Sequence, residues 1–337
     1  MGEEGTMGRL LLSLVAFLFG SVVLLPSAIV GLWAQTMAPV TDKGPAFPLG
    51  SPTVRLLVHS TGELAELPLE EYVCGVVAAE MPATFEPQAL RAQAVIARTY
   101  VVKRMRVFGG KGCDEHPGAD ICDNPEHAQA WLSKDALRKV WGPLQFKALW
   151  DKVEQAVKAT EGLVLTYQGK LIDPLYHSTC AGGTENPEEV WGTRYPYLKS
   201  VRCDFCASSP HYRPQKVSFK LAEFISRIGA PPSVAAAATG GRQLFTTIST
   251  SSGRVKEVVS GTFRIAGTEV RKLLGLKSTR FSLSVTGDQV SLEVRGNGHG
   301  VGLCQWGANG LALRGLSYPE IIAYYFDGVV ITHMFHE

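Results

Sequence analysis

The stretch Glu71–Tyr–Val–Cys–Gly–Val–Val–Ala–Ala–Glu80–Met–Pro82 constrains this chain more than any other, and it predicts a helix over Leu69–Met81. Val73, Val76, Val77 and Glu80 fall on one stripe at helical spacing, and that stripe should face the core. Pro82 cannot continue the helix, so Glu80 occupies the last turn, at the negative end of the macrodipole. Apolar surroundings and the dipole both disfavour the ionised carboxylate, so each raises its pKa. A carboxylic acid kept partly protonated near neutrality suits general-acid chemistry. The plainer alternative is a Glu80 turned to water, or paired with Arg91 or Arg98.

At 337 residues the chain can bury a large core, as one domain or two. Charged residues make up 19% and the net charge is +2, which argues against nucleic acid as a partner and against a polybasic membrane surface. Leu10 to Trp33 is uncharged and almost wholly apolar, and about twenty such residues span a bilayer. That length exceeds the short apolar centre of a signal peptide and favours an uncleaved anchor. The expected layout is a short cytoplasmic N-terminus at 1–9, a transmembrane anchor at 10–33, a proline-rich linker at 34–52 and one extracytoplasmic domain at 53–333. The protein is then a single-pass protein of the cell membrane.

Within that domain Val54–His59 reads as a strand, and Pro87 opens a second helix reaching about Val107, before Gly109 and Gly110. Helices return at Ser133–Trp141 and Gln145–Thr160. Leu163–Tyr167 and Leu171–Tyr176 resemble a hairpin. A helix at Leu221–Ile228 follows, then strands from Leu244 to Val294 interrupted by a helical Val270–Leu274. A glycine-rich loop at 296–302 and helices at Cys304–Leu313 and Pro319–Tyr325 complete the chain. The class is α+β, an N-terminal transmembrane helix followed by mixed helices and antiparallel sheet.

Three further clusters carry chemistry. Tyr176–His–Ser–Thr–Cys–Ala–Gly–Gly–Thr–Glu–Asn186 combines hydroxyls, an imidazole and a glycine pair, suited to a polyhydroxylated ligand or to a plain polar turn. Trp191–Gly–Thr–Arg–Tyr–Pro–Tyr–Leu–Lys199 offers rings for stacking on sugars, with Trp191 itself read as core. Gly296–Asn–Gly–His–Gly–Val–Gly–Leu–Cys–Gln–Trp–Gly–Ala308 permits close backbone approach. It lacks the Lys–Ser/Thr pair of a phosphate-binding loop, and no cysteine-protease signature surrounds His299 and Cys304.

Five ordered segments resemble the family of stage II sporulation protein D and the related amidase enhancers. They are Tyr72–Pro82, Ala89–Tyr100, His177–Glu185, Pro196–Ser200 and Gly298–Gly307. The resemblance spans roughly Val54 to Val330. It implies a peptidoglycan lytic transglycosylase acting on stem-peptide-free glycan strands during engulfment, or a non-catalytic peptidoglycan-binding module that stimulates an amidase. Carried over by motif, Glu80 is the catalytic acid, and Gln93, Arg98, His177, Ser178, Tyr197 and Gln305 are groove residues. Ordinary glycoside hydrolysis uses two carboxylates. A lytic transglycosylase uses the 6-hydroxyl of the muramic acid as internal nucleophile, so one residue can serve as acid and then base. The implied partners are glycan strands, a cell-wall amidase and a membrane protein of an engulfment complex. No cofactor is implied for catalysis.

Cys113–x2–His116–x5–Cys122–x4–His127 supplies two thiols and two imidazoles, an inventory that suits structural zinc, with a Cys113–Cys122 disulfide as the alternative. Some relatives hold zinc in a corresponding His-x5-Cys-x4-His-Cys loop. Here Ala128 stands at the final position, leaving Cys113 to substitute. A catalytic metal is disfavoured, since four protein ligands leave no open position for water. Cys203–x2–Cys206 with Cys180 and Cys304 forms a second set, able to hold a metal or to pair as two disulfides, and Cys74 reads as a buried apolar thiol.

Overall fold

The computed structural model describes residues 52–125, 128–231, 233–234 and 244–334. The expected N-terminus at 1–9, the anchor at 10–33 and nearly all of the linker lie outside them. Among the described residues no helix is long and apolar enough to cross a membrane.

Strands β1 (Thr53–Val58) and β2 (Glu63–Pro68) form an antiparallel pair, and β2 runs directly into α1 (Leu69–Glu80). Glu70 and Glu71 in its first turn face the positive end of the helix dipole. The helix stops because Met81 precedes Pro82 and takes extended backbone angles, φ −121° and ψ 144°. Its buried surface is wider than the predicted stripe and takes in Leu69 and Tyr72 to Ala78. A Cβ on Gly75 would lie 2.1 Å from Trp131 Nε1, so only glycine lets the 131–132 segment cross the helix there.

Helix α2 (Pro87–Val102) packs against α1 and is buried along most of its length. It ends five residues before the expected Val107. Asp120 draws the chain away from the helix by accepting from the Arg106 amide at 3.0 Å and, through its other oxygen, from the Arg55 amide of β1. The loop that follows returns as β3 (Ile121–Cys122), parallel to β1. The two helices expected over 133–160 appear as α3 (Lys134–Lys158), kinked at Gly142–Pro143 where Gly142 adopts φ 71°. Ser133 caps its start by accepting from the Ala136 amide.

Strand β4 (Leu163–Tyr167) lies between β5 (Lys170–Leu171) and β16 (Val330–His333). The expected hairpin arm Leu171–Tyr176 is therefore only two residues long. Pro174 brings no amide to the ladder, and the chain leaves the sheet. It forms β6 (Tyr176–His177), which pairs in parallel with β15 (Leu303–Cys304), Tyr176 opposite Leu303 and His177 opposite Cys304. An antiparallel bridge joins Thr179 to Asn297, and a parallel one joins Glu185 to Val301. These contacts thread the glycine-rich loop beside the 176–185 segment.

After β7 (Gly182–Gly183) come α4 (Pro187–Trp191) and β8 (Arg202–Cys203). A second hydrophobic core then forms around β9 (Gln215–Lys220), α5 (Leu221–Arg227), β10 (Thr246–Ser249), β11 (Val255–Ser260), β12 (Phe263–Ala266), α6 (Gly267–Leu273), β13 (Phe281–Thr286) and β14 (Gln289–Val294). Its strands form two antiparallel sheets, β10-β11-β12 and β13-β14-β9. The first core holds the helices α1–α3, β1, β4, α7 (Gln305–Ala312) and α8 (Tyr318–Tyr325). The architecture is mixed α+β, with helices towards both ends of the sequence and antiparallel sheet between.

Candidate active site

A cleft of about 610 Å³ opens where α1 ends, β6 begins and α7 starts. Glu80 projects from the last turn of α1 into it. The carboxyl accepts from the Ala130 amide through Oε1 at 2.8 Å, and it is also hydrogen-bonded by the side chains of Tyr176 and Gln305. Burial raises its pKa, and these three hydrogen bonds oppose the shift without cancelling it. Neither Arg91 nor Arg98 pairs with it.

A layer of polar groups holds that carboxyl in place. Burial around its hydroxyl pushes the Tyr176 phenol well above the usual value and keeps it protonated. Gln129 donates to Tyr176 Oη at 3.3 Å and accepts from Tyr72 at 3.4 Å. Tyr72, Gln129, Tyr176 and Glu80 thus form one chain of hydrogen bonds reaching back into α1. On the opposite side Gln305 donates to Gln93 Oε1 at 3.5 Å. Gln93 is fully buried and orients Gln305 from behind; it is not among the residues lining the cleft.

The β6–β15 pairing sets the far wall. His177 Nδ1 hydrogen-bonds the Val301 carbonyl at 3.0 Å, and burial, with the charges of His299 and Arg254, drives its pKa well below the ordinary range. It is therefore a neutral imidazole. Ser178 stands beside it in the cleft wall. His299 accepts from the Val301 amide at 3.1 Å, and burial followed by Arg271 lowers its pKa to about 3. Trp191 lies over His299 with ring centroids 4.9 Å apart and is 48% exposed. The reading of Trp191 as core is corrected. Helix α4 ends at Gly192 in the left-handed conformation, and the ring is left on the rim of the cleft.

Besides Gln93, two more predicted groove residues lie outside the cleft lining. Arg98 is fully buried on α2 and grips Glu70 through two nitrogens, at 2.8 and 2.5 Å, while donating to the carbonyls of Leu163 and Val157. A helical position five residues from Gln93 sits on another face, which carries Arg98 away from the cleft. Tyr197 accepts from the Asp173 amide at 2.9 Å and packs on Tyr167 and Tyr195.

Over 293 residues the chain is 37% identical to stage II sporulation protein D of Bacillus subtilis (strain 168), covering 85% of this chain and 80% of that protein. It belongs to the stage II sporulation protein D family. The protein of the same name from Bacillus amyloliquefaciens is 36% identical over 285 residues, covering 85% of this chain and 79% of its own length. The SpoIID family model, described as stage II sporulation protein, matches residues 58–167. An amidase enhancer from Bacillus subtilis (strain 168) is 25% identical over 306 residues, covering 77% of this chain and 40% of its own length. In this family member the matched span runs from β1 to β4 and includes both Glu80 and the Cys/His loop.

In that loop the donor atoms of Cys113, His116 and Cys122 lie within 4.8 Å of one another, with Cys113 Sγ 3.4 Å from His116 Nδ1. His127 lies outside the described residues. Three convergent donors of this kind fit a tetrahedral zinc. Cys304 is held away from His299 by its own neighbours. Its sulfur accepts from the Cys180 and Gly307 amides, within a cluster that also contains Cys180, Cys203 and Cys206. Cys74 is buried as expected, and burial pushes its thiol up to about 12.

Sequence reasoning did not assign Tyr176, Gln129, Asn297 or His299 to the site. Tyr176 carried a readable signal, since it opens the His177 motif at the start of a strand. Gln129 carried none. Its place depends on the loop between β3 and α3 folding back over the end of α1.

Proposed function

We propose that this chain is a peptidoglycan lytic transglycosylase acting in sporulation, with Glu80 as its acid and base. The observation that carries the reading is a carboxyl with raised pKa in a cleft where, among the described lining residues, no second carboxylate stands. Hydrolysis by retention or inversion needs that second group, about 5 to 9.5 Å from the first. One residue suffices when the nucleophile belongs to the substrate.

Protonated Glu80 donates to the glycosidic oxygen as the bond from C1 breaks. The resulting carboxylate then takes the proton of the 6-hydroxyl on the same muramic acid, whose oxygen closes on C1. The proton returns to Glu80, no water is consumed, and the product ends in a 1,6-anhydro ring. Tyr176 and Gln305 hydrogen-bond the carboxyl and steady it through both steps. Trp191, exposed on the rim, suits a sugar face, and Ser178 and Asn297 offer polar groups to its hydroxyls. Both cleft histidines stay neutral, which leaves Arg271 as the cation among the described lining residues, opposite in sign to the lactyl carboxylates of stem-free strands. Strands stripped of stem peptides fit this reading, which places an amidase ahead of this enzyme and a membrane protein of an engulfment complex beside it. The segment 10–33 would anchor the domain outside the cytoplasm. Cys113, His116 and Cys122 would hold zinc as a brace for a loop with little apolar content, and no step passes through the metal.

The likeness to an amidase enhancer supports a second reading, a glycan-binding module that stimulates a separate amidase. Stem-free glycan incubated with the purified domain separates the two. Mass spectrometry should find 1,6-anhydro ends with the parent protein and none with Glu80→Ala, while Glu80→Ala remains folded by circular dichroism. Glycan bound but uncut by the parent protein supports the enhancer instead.

A further inference from the structure

We propose that Cys180, Cys203, Cys206 and Cys304 form a tetrathiolate zinc site that fastens the wall of the cleft from behind. Their four sulfurs all lie within 4.8 Å of one another, and all four residues are fully buried. The Sγ atoms of Cys180 and Cys206 stand 3.6 Å apart. In a tetrahedron with zinc–sulfur bonds of about 2.3 Å the sulfurs are spaced by about 3.8 Å. Disulfide sulfurs stand far closer, at about 2.05 Å.

The surrounding groups match what metal-bound thiolates require. Cys304 Sγ accepts amide hydrogen bonds from Cys180 and Gly307, each at 3.3 Å, and it caps the N-terminus of α7, where negative charge is favoured. Cys206 accepts from the Ala181 amide, and Tyr325 Oη lies 3.2 Å from Cys203 Sγ. Zinc with four thiolates carries two negative charges, and a buried cation stands by to balance them. Arg254 is 1% exposed and donates through Nη2 to the Cys180 carbonyl, and its Nε and Nη1 have no hydrogen-bond partner among the described residues.

The backbone is cut to admit the cluster. Cys203 and Cys206 sit on a two-residue-spaced turn that lies directly on α7. A Cβ on Gly307 would come 2.6 Å from Cys203 Sγ, and one on Gly310 would come 2.0 Å from the Phe205 carbonyl. The four ligands come from three separate segments, the β6–β7 turn, the β8 turn and the end of β15 that caps α7. His177 and Ser178 precede Cys180, and Gln305 follows Cys304, so one ion would fix both sides of the cleft. This assignment stands apart from the catalytic reading, because its readout is metal and not product.

Native mass spectrometry and elemental analysis of the full-length protein, purified with reductant and zinc, test it. Cys206→Ser should hold one zinc fewer per chain than the parent protein. Cys206→His, which keeps a zinc ligand but cannot form a disulfide, should retain that zinc and the fold. A Cys206→Ser protein with undiminished zinc overturns the proposal. So does a parent protein that, purified and denatured without reductant, has lost two hydrogens for each of two cysteine pairs.

Discussion

The Arg98–Glu70 pair makes a stability prediction that separates a structural arginine from a substrate-binding one. The Arg98 side chain is 0% exposed and the Glu70 side chain 25% exposed. Replacing Glu70 by Gln leaves a guanidinium sealed between α2 and β4 with no counter-charge, only a neutral amide and the carbonyls of Ala94, Leu163 and Val157. Stranding a buried charge costs about 3–5 kcal/mol, and the partial exposure of Glu70 lowers this to about 2–4 kcal/mol, since water can reach part of the site. At about 2–4 °C per kcal/mol the midpoint of unfolding should drop by about 4–16 °C. Arg98→Met should cost less. The stranded group is then a carboxylate that can turn to water, the Val157 carbonyl keeps its bonds from Thr160, and the main loss is the guanidinium's hydrogen bond to the Leu163 carbonyl, at about 1–3 kcal/mol. Urea unfolding gives both values, and glycan affinity measured well below the unfolding midpoint should match the parent in each variant. A Glu70→Gln protein as stable as the parent would refute the reasoning. An Arg98→Met protein of normal stability that no longer binds glycan would return Arg98 to the groove.

Three other outcomes follow from the same geometry. The folded-state pKa of Glu80 lies above its unfolded value, so the folded state binds the extra proton between the two, and its stability falls as pH rises through that window. Glu80→Gln does not titrate and should gain stability over the parent across that window, while parent activity should fall as pH rises through the raised pKa; urea titrations and a rate profile read both. Gly302→Ala places a Cβ 2.0 Å from the Leu175 carbonyl at φ 71°, and equilibrium unfolding should register a loss of about 2–4 kcal/mol. Trp191→Ala should raise KM for stem-free glycan about five- to tenfold, corresponding to about 1–1.4 kcal/mol of ring contact, with kcat little changed.

Much of the fold was legible because it depends on neighbours in sequence. Helix α1 and its end at Met81 follow from apolar spacing and Pro82, and the kink in α3 follows from Gly142–Pro143. The direction of the Glu80 shift was legible too, since the apolar stripe that carries it had to face the core. Arg98 was misplaced for the opposite reason. Its residue type and motif position are equally compatible with a groove and with a buried pair, and only the packing of α2 against β4 and Glu70 chooses.

By itself, then, the amino-acid order determined the local elements, the carboxyl most fit to act as an acid and the inventory of thiols and imidazoles. Tertiary structure decided which of them meet. Parallel pairing of Tyr176–His177 with Leu303–Cys304 joins segments more than a hundred residues apart, and it assembles the cleft wall and the four-sulfur cluster in one move. Such contacts carry no local signature, because short strands gain their stability from burial and from partners far along the chain.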